Sequence, residues 1–431
     1  MRNNRVDAGR HGSEQRGSRR SKRSEQRAPK RSKKEWIVRG LMAVGIGLTG
    51  YVSMAGTLAN VIAGIDARAA NALALGDGRI MAAAAAQEFA AAPDSSKTSM
   101  AAKLAEEALR RDPTAVDALK VLALQAQMRS EEALTDRLFG YSVALSRREF
   151  APQMWRIEKD VARGDIDGAL RNYDLALRTS EKARETLFPV LASSIVEPKI
   201  RERLITLLEV APAWNRAFIQ FASDKGSQPY AVSQLFRESE GKGFPIETVD
   251  EARLVSRLVT RGLMDEAWNY YRTFRSGVDR SRSRDPDFNL GIEAPTPFDW
   301  NVGNMPGLSA AILRQGDRGF LDFALPASTR ATVVRQTQLL PPGSYSLKGR
   351  SQGVDQAERS LPYWVITCLD GFELGRVDLP ASNQAFDTFS LRFSVPSDCP
   401  VQNLSLVARV SDKIEGVTGR IENVQIAPVG R

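Results

Sequence analysis

The sequence contains little of the chemistry on which most enzymes depend. Among its 431 residues there is one histidine, His11, and there are two cysteines, Cys368 and Cys399. A single histidine excludes histidine-based catalytic triads and most zinc sites. The Gly-x-x-x-x-Gly-Lys-Ser/Thr motif of phosphate-binding loops is also absent. We therefore predict a protein that is not an enzyme and has no catalytic residue, no metal site and no cofactor.

Two carboxylates come closest to an acid and base pair. Glu293 and Asp299 lie in a Pro-rich connector, at a spacing that a glycosidase pair could occupy. Carboxylates in such loops are usually solvated, so we expect neither of them to be catalytic.

Residues 40–65 contain no charged side chain. Twenty-six helical residues cover about 39 Å, which exceeds the roughly 30 Å of a bilayer core. Residues 1–39 carry 14 Lys or Arg against four Asp or Glu, and such a basic flank stays in the cytoplasm. We predict one transmembrane signal anchor over 40–65, with the chain from Asp66 onward across the membrane. A signal peptide cleaved near Ala67-Arg68-Ala69 and a buried helix of a soluble protein are the alternatives.

The tail before this segment, residues 1–39, is basic and polar. It has too few apolar side chains to offset the entropy of ordering, so we predict that it is disordered. Its charge suits anionic lipid head groups. No aromatic residue precedes Trp36, so a stacking platform for single strands is missing and we expect no nucleic acid as a partner.

Residues 66–275 have the pattern of a helical repeat. Ala108 and Ala176 are 68 residues apart, which is twice 34. In the helix that contains Ala176, an aromatic residue, Tyr173, lies four positions after Ala169 and three before Ala176. Small residues let paired helices approach closely, and an aromatic residue fills the space between hairpins. We predict that this packing involves Ala108, Trp155, Gly164, Ala169, Tyr173 and Ala176.

This pattern resembles the tetratricopeptide-repeat family, most clearly over residues 101–180. The resemblance implies a concave face that binds envelope proteins or peptides. An irregular array of helical hairpins is the alternative.

After a predicted linker over 276–290, residues 291–431 have an all-β pattern. Apolar and polar residues alternate in several runs, as in strands with one buried face. The candidate strands are 319–325, 332–339, 343–349, 363–368, 373–378, 386–395, 401–410 and 419–426. About eight strands predict a two-sheet sandwich, so the fold class is a multidomain α and β protein with one transmembrane helix.

The landmarks of this last third resemble the jelly-roll carbohydrate-binding modules and their galactose-binding-like relatives. Phe288 and Trp300 precede a Gly-x-Tyr strand at Tyr345, and an Asn-Val pair at Asn423 closes the chain. Glu422 stands where these modules usually have Asp, which leaves open whether a structural calcium ion is bound.

The resemblance implies exposed aromatic faces on which sugar rings stack. The candidate glycan contacts are Trp300, Tyr363 and Trp364, with Phe298 as a further ring, and burial in the core is the alternative for each. Because neighbours on a strand point to opposite faces, we expect at least one of Tyr363 and Trp364 to lie in the core.

The two cysteines both lie in the β region. In an oxidising compartment an even pair at strand ends favours one bridge, Cys368–Cys399, and two free thiols are the alternative.

These features together predict a single-pass inner-membrane protein of a Gram-negative bacterium with most of its chain in the periplasm. We expect a scaffold that assists assembly or export of a cell-surface polysaccharide, with the repeat array binding envelope proteins and the sandwich binding glycan. A peptidoglycan or division scaffold, and a structural protein whose sandwich binds no sugar, remain as alternatives.

Overall fold

The computed structural model describes residues 33–74, 76–383 and 385–429. His11 and most of the basic tail lie outside the described residues. Within them, fourteen α-helices precede ten β-strands. This order confirms the predicted fold class of an apolar helix, a helical array and a C-terminal all-β sandwich.

The helices have the following bounds: α1 Lys33–Ala63, α2 Ala67–Leu73, α3 Gly78–Ala91, α4 Met100–Arg111, α5 Val116–Met128, α6 Glu132–Leu145, α7 Phe150–Ala162, α8 Ile166–Thr179, α9 Lys182–Ser194, α10 Pro198–Glu209, α11 Asn215–Lys225, α12 Pro229–Glu238, α13 Thr248–Thr260 and α14 Met264–Phe274. The chain divides into two compact units at the boundary between Thr135 and Asp136, and the second unit includes the β-strands.

In the first unit, α1 is the one helix of the described chain that is long and apolar enough to cross a membrane. Most of its apolar side chains are exposed. The helix begins before the uncharged run and ends two residues short of Ile65, because Asp66 begins the next helix. The Asp66 carboxylate accepts the N–H groups of Arg68 and Ala69, both at 3.1 Å, and so caps α2.

The same unit contains small residues at helix contacts. Ala59, near the end of α1, packs with Ala70 of α2 and Ile80 of α3. Ala108 of α4 is fully buried in a cluster with α3 and α5. Alanine at these contacts lets helices approach more closely than larger side chains would.

In the second unit, the α7–α8 hairpin contains the other predicted packing residues. Gly164 adopts a φ of 72° in the turn between the two helices, a conformation that L side chains rarely adopt. Trp155 packs on Phe139 with 5.6 Å between ring centroids. Ala169, Tyr173 and Ala176 of α8 are buried. This packing is consistent with a repeat array, and membership of the tetratricopeptide-repeat family stays a prediction.

The strands have the following bounds: β1 Asn301–Val302, β2 Ser309–Gln315, β3 Arg318–Leu325, β4 Ala331–Gln338, β5 Gly343–Gln352, β6 Tyr363–Cys368, β7 Glu373–Asp378, β8 Asp387–Val395, β9 Gln402–Ala408 and β10 Val417–Pro428. They form two five-stranded sheets. The first sheet has the order β1-β4-β9-β6-β7, and the second sheet has the order β2-β3-β10-β5-β8. Every pairing is antiparallel, and the inner faces share one core.

The helical array and the sandwich share a core within the second unit. Phe298, which precedes β1, packs against Trp268 and Tyr271 of α14 with ring centroids 5.5 and 5.4 Å apart. The segment predicted as a linker is also packed, since Arg284 lies over the rings of Trp268 and Phe298 at this junction, and Phe288 is buried in the core of the sandwich. The helices therefore hold the sandwich through a packed junction.

Cys368 and Cys399 form a disulfide bond, which confirms the predicted bridge. It joins the end of β6 to the turn that precedes β9 and closes a segment with a sequence separation of 31 residues.

Candidate binding face of the sandwich

The structure places two of the predicted glycan-contact rings in the core. Trp364 on β6 is fully buried, and its ring centroid lies 5.9 Å from Trp300 and 6.3 Å from Phe389. Trp300 is also buried, and its indole N–H donates to the Asp285 carbonyl oxygen at 2.8 Å. Phe298 is buried in the junction with α14. These rings fill space between the sheets, so the prediction that they contact glycan is wrong.

Tyr363 points to the opposite side of β6, as the alternation of side chains predicts, but it is buried too. Two guanidinium groups pack on its ring, with Arg376 at 4.4 Å and Arg409 at 4.3 Å from the centroid. Arg330 also donates to the Tyr363 hydroxyl at 3.0 Å. Because the ring is buried under these arginines, Tyr363 cannot stack on a sugar, and this prediction needs the same correction.

The outer face of the first sheet presents a row of side chains that crosses all five strands and is polar on four of them, with the buried Val365 on β6. Register pairs Asn301 with Arg335, Arg335 with Ser405, Ser405 with Val365, and Val365 with Arg376. At about 4.8 Å between strands, the row is roughly 19 Å wide. We call this surface, with the arginines around Tyr363, the arginine face.

Positive charge is in excess on the arginine face. Arg376 pairs with Glu373 at 2.5 Å, and Arg409 pairs with Asp378 at 2.7 Å. The hydrogen bond from Arg376 to Glu373 holds the pKa of this guanidinium above its usual value. Arg335 is exposed and has no ion pair or hydrogen bond within the described chain, and Arg330 bonds only a phenol there. Two of the four guanidinium groups are therefore not neutralised.

A cavity of about 330 Å³ lies at the β1–β4 edge of this face. The residues that line it include Arg335, Asn301, Thr332 and Thr337. Gly303 lies beside it, where a Cβ atom would come within 2.3 Å of the Thr332 carbonyl oxygen. Glycine thus permits the close backbone approach that forms the wall of the cavity.

The two carboxylates considered as an acid and base pair, Glu293 and Asp299, lie in different environments. Asp299 is buried and accepts hydrogen bonds from the Thr296 N–H, the Thr296 hydroxyl and the Tyr271 hydroxyl, whereas Glu293 is exposed. Our expectation of a solvated Asp299 is therefore wrong.

The described residues contain no group of three or more His, Cys, Asp or Glu that could hold a metal ion.

One spacing in the sequence matches the motif of serine hydrolases, Gly349-x-Ser351-x-Gly353. In those enzymes the serine lies on a sharp turn from a strand to a helix. Here Ser351 lies within β5 and is fully buried on the inner face of the sandwich. It is not exposed at a turn and cannot act as such a nucleophile.

No protein-family model and no curated protein matches this chain. Among solved structures, the enzymatically active domain of bacteriophage CBA120 tailspike protein 4 is 12% identical over 30% of this chain, with a TM-score of 0.23, and only 19% of that domain is covered. A family 61 carbohydrate-binding module in complex with β-1,4-galactotriose is 15% identical, with 34% of this chain and 97% of the module covered and a TM-score of 0.27. The CBM22-1 xylan-binding domain of Xyn10C from Paenibacillus barcinonensis is 12% identical, with 34% of this chain and 92% of the domain covered and a TM-score of 0.24. Because these scores are low, the description of the sandwich rests on its own strand order and pairing.

Proposed function

We propose that this protein is a non-enzymatic, membrane-anchored scaffold of the bacterial envelope whose sandwich binds an anionic polysaccharide. The binding surface would be the arginine face, in place of the aromatic platform that the sequence predicts. The observation that carries the proposal is the unneutralised Arg335 in the row that crosses five strands.

The chemistry of this face favours an acidic glycan over a neutral one. A guanidinium group donates two parallel hydrogen bonds to a carboxylate, and such charge-assisted bonds are stronger than those to a hydroxyl. Ser405 adds a polar group between Arg335 and Arg376, and Asn301 adds one beside Arg335 on the edge strand β1. No sugar-stacking ring is needed, because the acidic groups of the glycan would supply the attraction.

The extended shape of the row favours a polymer over a single sugar. Arg335 and Arg376 are three strands apart, which is roughly 14 Å. An acidic group at Arg335 and a polar group of another sugar unit near Arg376, which is already paired with Glu373, can be bound together, whereas one unit cannot reach both positions. Binding at two linked positions raises the overall affinity without requiring a deep pocket.

The remaining parts of the chain suit a scaffold. We propose that α1 anchors the protein in the inner membrane, that the amino terminus is cytoplasmic and that the chain from Asp66 onward is periplasmic. The helical array would hold envelope proteins that make or export the polysaccharide, and the packed junction would keep the glycan face at a fixed distance from them.

The binding proposal can be tested with the full chain in detergent micelles. Affinity electrophoresis through gels that contain polyguluronate, peptidoglycan fragments or neutral dextran would separate the glycan classes. We expect retardation by polyguluronate alone, and less of it as salt is raised, because ions screen exposed charges. Retardation by dextran or by peptidoglycan fragments, with none by polyguluronate, would overturn the acidic-glycan assignment.

A matched pair of variants locates the site. Arg335→Gln should weaken binding to polyguluronate roughly tenfold, since it removes a charge-assisted contact. Arg392→Gln on β8 removes an equally exposed arginine from the outer face of the second sheet and should leave binding unchanged. Equal loss in both variants would show a nonspecific effect of net charge.

The topology needs a separate test in intact cells. Alkaline phosphatase fused after Arg431 should be active if this end is periplasmic, and a fluorescent protein that folds only in the cytoplasm should be dark there. The reverse pattern would contradict the periplasmic location.

A further inference from the structure

A second pocket lies in the helical array, away from the arginine face. The loop after α12, the start of α13 and one side of α14 enclose a cavity of about 220 Å³. Aromatic side chains form much of its wall: Phe236 packs 6.2 Å from Tyr270, and Tyr270 packs 5.6 Å from Phe274. Glu240 and Thr273 at the rim are exposed, so the cavity is accessible from solvent.

Two polar groups in this wall have no partner. Neither the Glu251 carboxylate nor the Tyr270 hydroxyl makes a hydrogen bond or an ion pair to any residue that the structure describes. Glu251 is half-buried, and burial raises the pKa of this carboxyl to about 7. A desolvated carboxylate without a partner is unfavourable, so the site would gain from a donor that a ligand supplies.

The surrounding charges do not neutralise Glu251. On α12, Arg237 is held by Glu266 of α14. On α13, Asp250 is held by Arg216 and Arg253. Glu240 on the loop and Asp250 raise the pKa of Glu251, and Arg275, just after α14, lowers it without forming an ion pair.

This combination selects a chemical class of ligand. Aromatic faces attract cations, and the Glu251 carboxylate and the Tyr270 hydroxyl, whose residues both line the cavity, can accept and donate hydrogen bonds. An apolar stem would contact Phe244 and Ile246, which also line the wall. An anion would meet Glu251 and Glu240, and a neutral ligand would leave Glu251 without a counter-charge.

We propose that this pocket binds an alkyl cation, a guanidinium or ammonium group on an apolar stem. An arginine or lysine side chain of a partner polypeptide and a free diamine both have this chemistry. The site does not depend on glycan binding, because no residue of the arginine face contributes to it.

The test is calorimetric titration of the full chain in micelles with acetyl-arginine amide, its neutral isostere acetyl-citrulline amide, and 1,4-diaminobutane. We expect the arginine derivative to bind at least about tenfold more tightly than the citrulline derivative. Near pH 7, binding should release up to about half a proton, because Glu251 is half-protonated there and the cation favours its ionised form. Titrations in two buffers of different ionisation enthalpy measure that release.

Three variants separate the site from a general charge effect. Glu251→Gln should lose at least about tenfold in affinity and abolish proton release, and Tyr270→Phe should lose affinity while proton release remains. Glu202→Gln removes an exposed carboxylate of α10 and should change neither. A cooperative melting transition like that of the wild type would show that the Glu251 and Tyr270 variants are folded.

The relative affinities of the three ligands and of the Glu251→Gln variant decide whether this pocket binds an alkyl cation. Equal binding of the arginine and citrulline derivatives, or full affinity in Glu251→Gln, would overturn the proposal. Tighter binding of the arginine derivative than of the diamine supports a polypeptide ligand, and the reverse supports a free amine. Because the polyguluronate assay uses Arg335, a failure of one proposal leaves the other standing.

Discussion

The Tyr271 hydroxyl donates a hydrogen bond of 2.7 Å to the Asp299 carboxylate, and both side chains are buried. The bond links the last helix of the array to the loop that leads into the first strand of the sandwich. Burial and the adjacent Asp299 carboxylate raise the pKa of Tyr271 well above its usual value, so the phenol keeps its proton at every physiological pH. The junction thus contains a hydrogen bond whose donor belongs to the helical array and whose acceptor belongs to the loop before the sandwich.

Tyr271→Phe should destabilise this junction. The change keeps the ring but leaves one carboxylate oxygen of Asp299 buried without a donor, which lowers the free energy of unfolding by about 1–3 kcal/mol. Denaturant unfolding measured by tryptophan fluorescence would show it. Tyr230→Phe removes the same atom from an exposed ring on α12 and serves as the control. Equal stability of the two variants would contradict a role for the Tyr271–Asp299 bond.

Trp364→Ala should act on stability, since the ring is in the core. Removing a large buried ring costs about 3–5 kcal/mol, through lost burial and the cavity left behind. Thermal melting measures this, with Phe372→Ala, an exposed ring after β6, as the control within about 0.5 kcal/mol. A stable Trp364→Ala protein that had lost only glycan binding would restore the stacking role that the sequence predicts.

Loss of the Cys368–Cys399 bond should destabilise the sandwich by about 3–4 kcal/mol, because the bridge restricts the unfolded chain over its enclosed loop. The double variant Cys368→Ser/Cys399→Ser and the wild type in reductant should have the same lowered melting temperature. Reductant should not lower the melting temperature of the double variant further. If reductant does not lower the melting temperature of the wild type, the disulfide bond adds no stability.

The stability of the second unit should depend on pH through Glu251. Burial raises the pKa of this carboxyl from its ordinary value of 4.5 in an unfolded chain to about 7 in the folded protein, so the folded state binds this proton more tightly. The resulting stabilisation is complete below about pH 4.5 and disappears as pH rises through about 7.

Glu251→Gln should therefore remove a fall in melting temperature between about pH 4.5 and 7 that the wild type shows. Glu202→Gln should retain that fall. Identical pH profiles for the wild type and Glu251→Gln would mean that this carboxyl titrates normally in the folded protein.

Several features follow from the sequence because they depend on local patterns. The length and lack of charge of residues 40–65 predict an apolar helix long enough to cross a bilayer, and α1 has that length and composition. Period-two alternation predicts most of the strands, with β6 and β7 at their observed bounds, and it places Tyr363 and Trp364 on opposite sides of one strand. The short edge strand β1 and the largely exposed edge strand β2 were missed, because neither has a clear buried face.

Only the tertiary structure decided where these side chains end up. Tyr363 is covered because strand order brings Arg376 and Arg409 against its ring, and no local pattern encodes that pairing. The row of the arginine face likewise requires the register of five strands, of which only β6 and β7 are consecutive in the chain. Glu251, Tyr270 and Phe244 form one pocket because two helices and a loop pack together. Sequence alone determines which residues are apolar, charged or small, whereas long-range packing determines which of them remain accessible to a ligand.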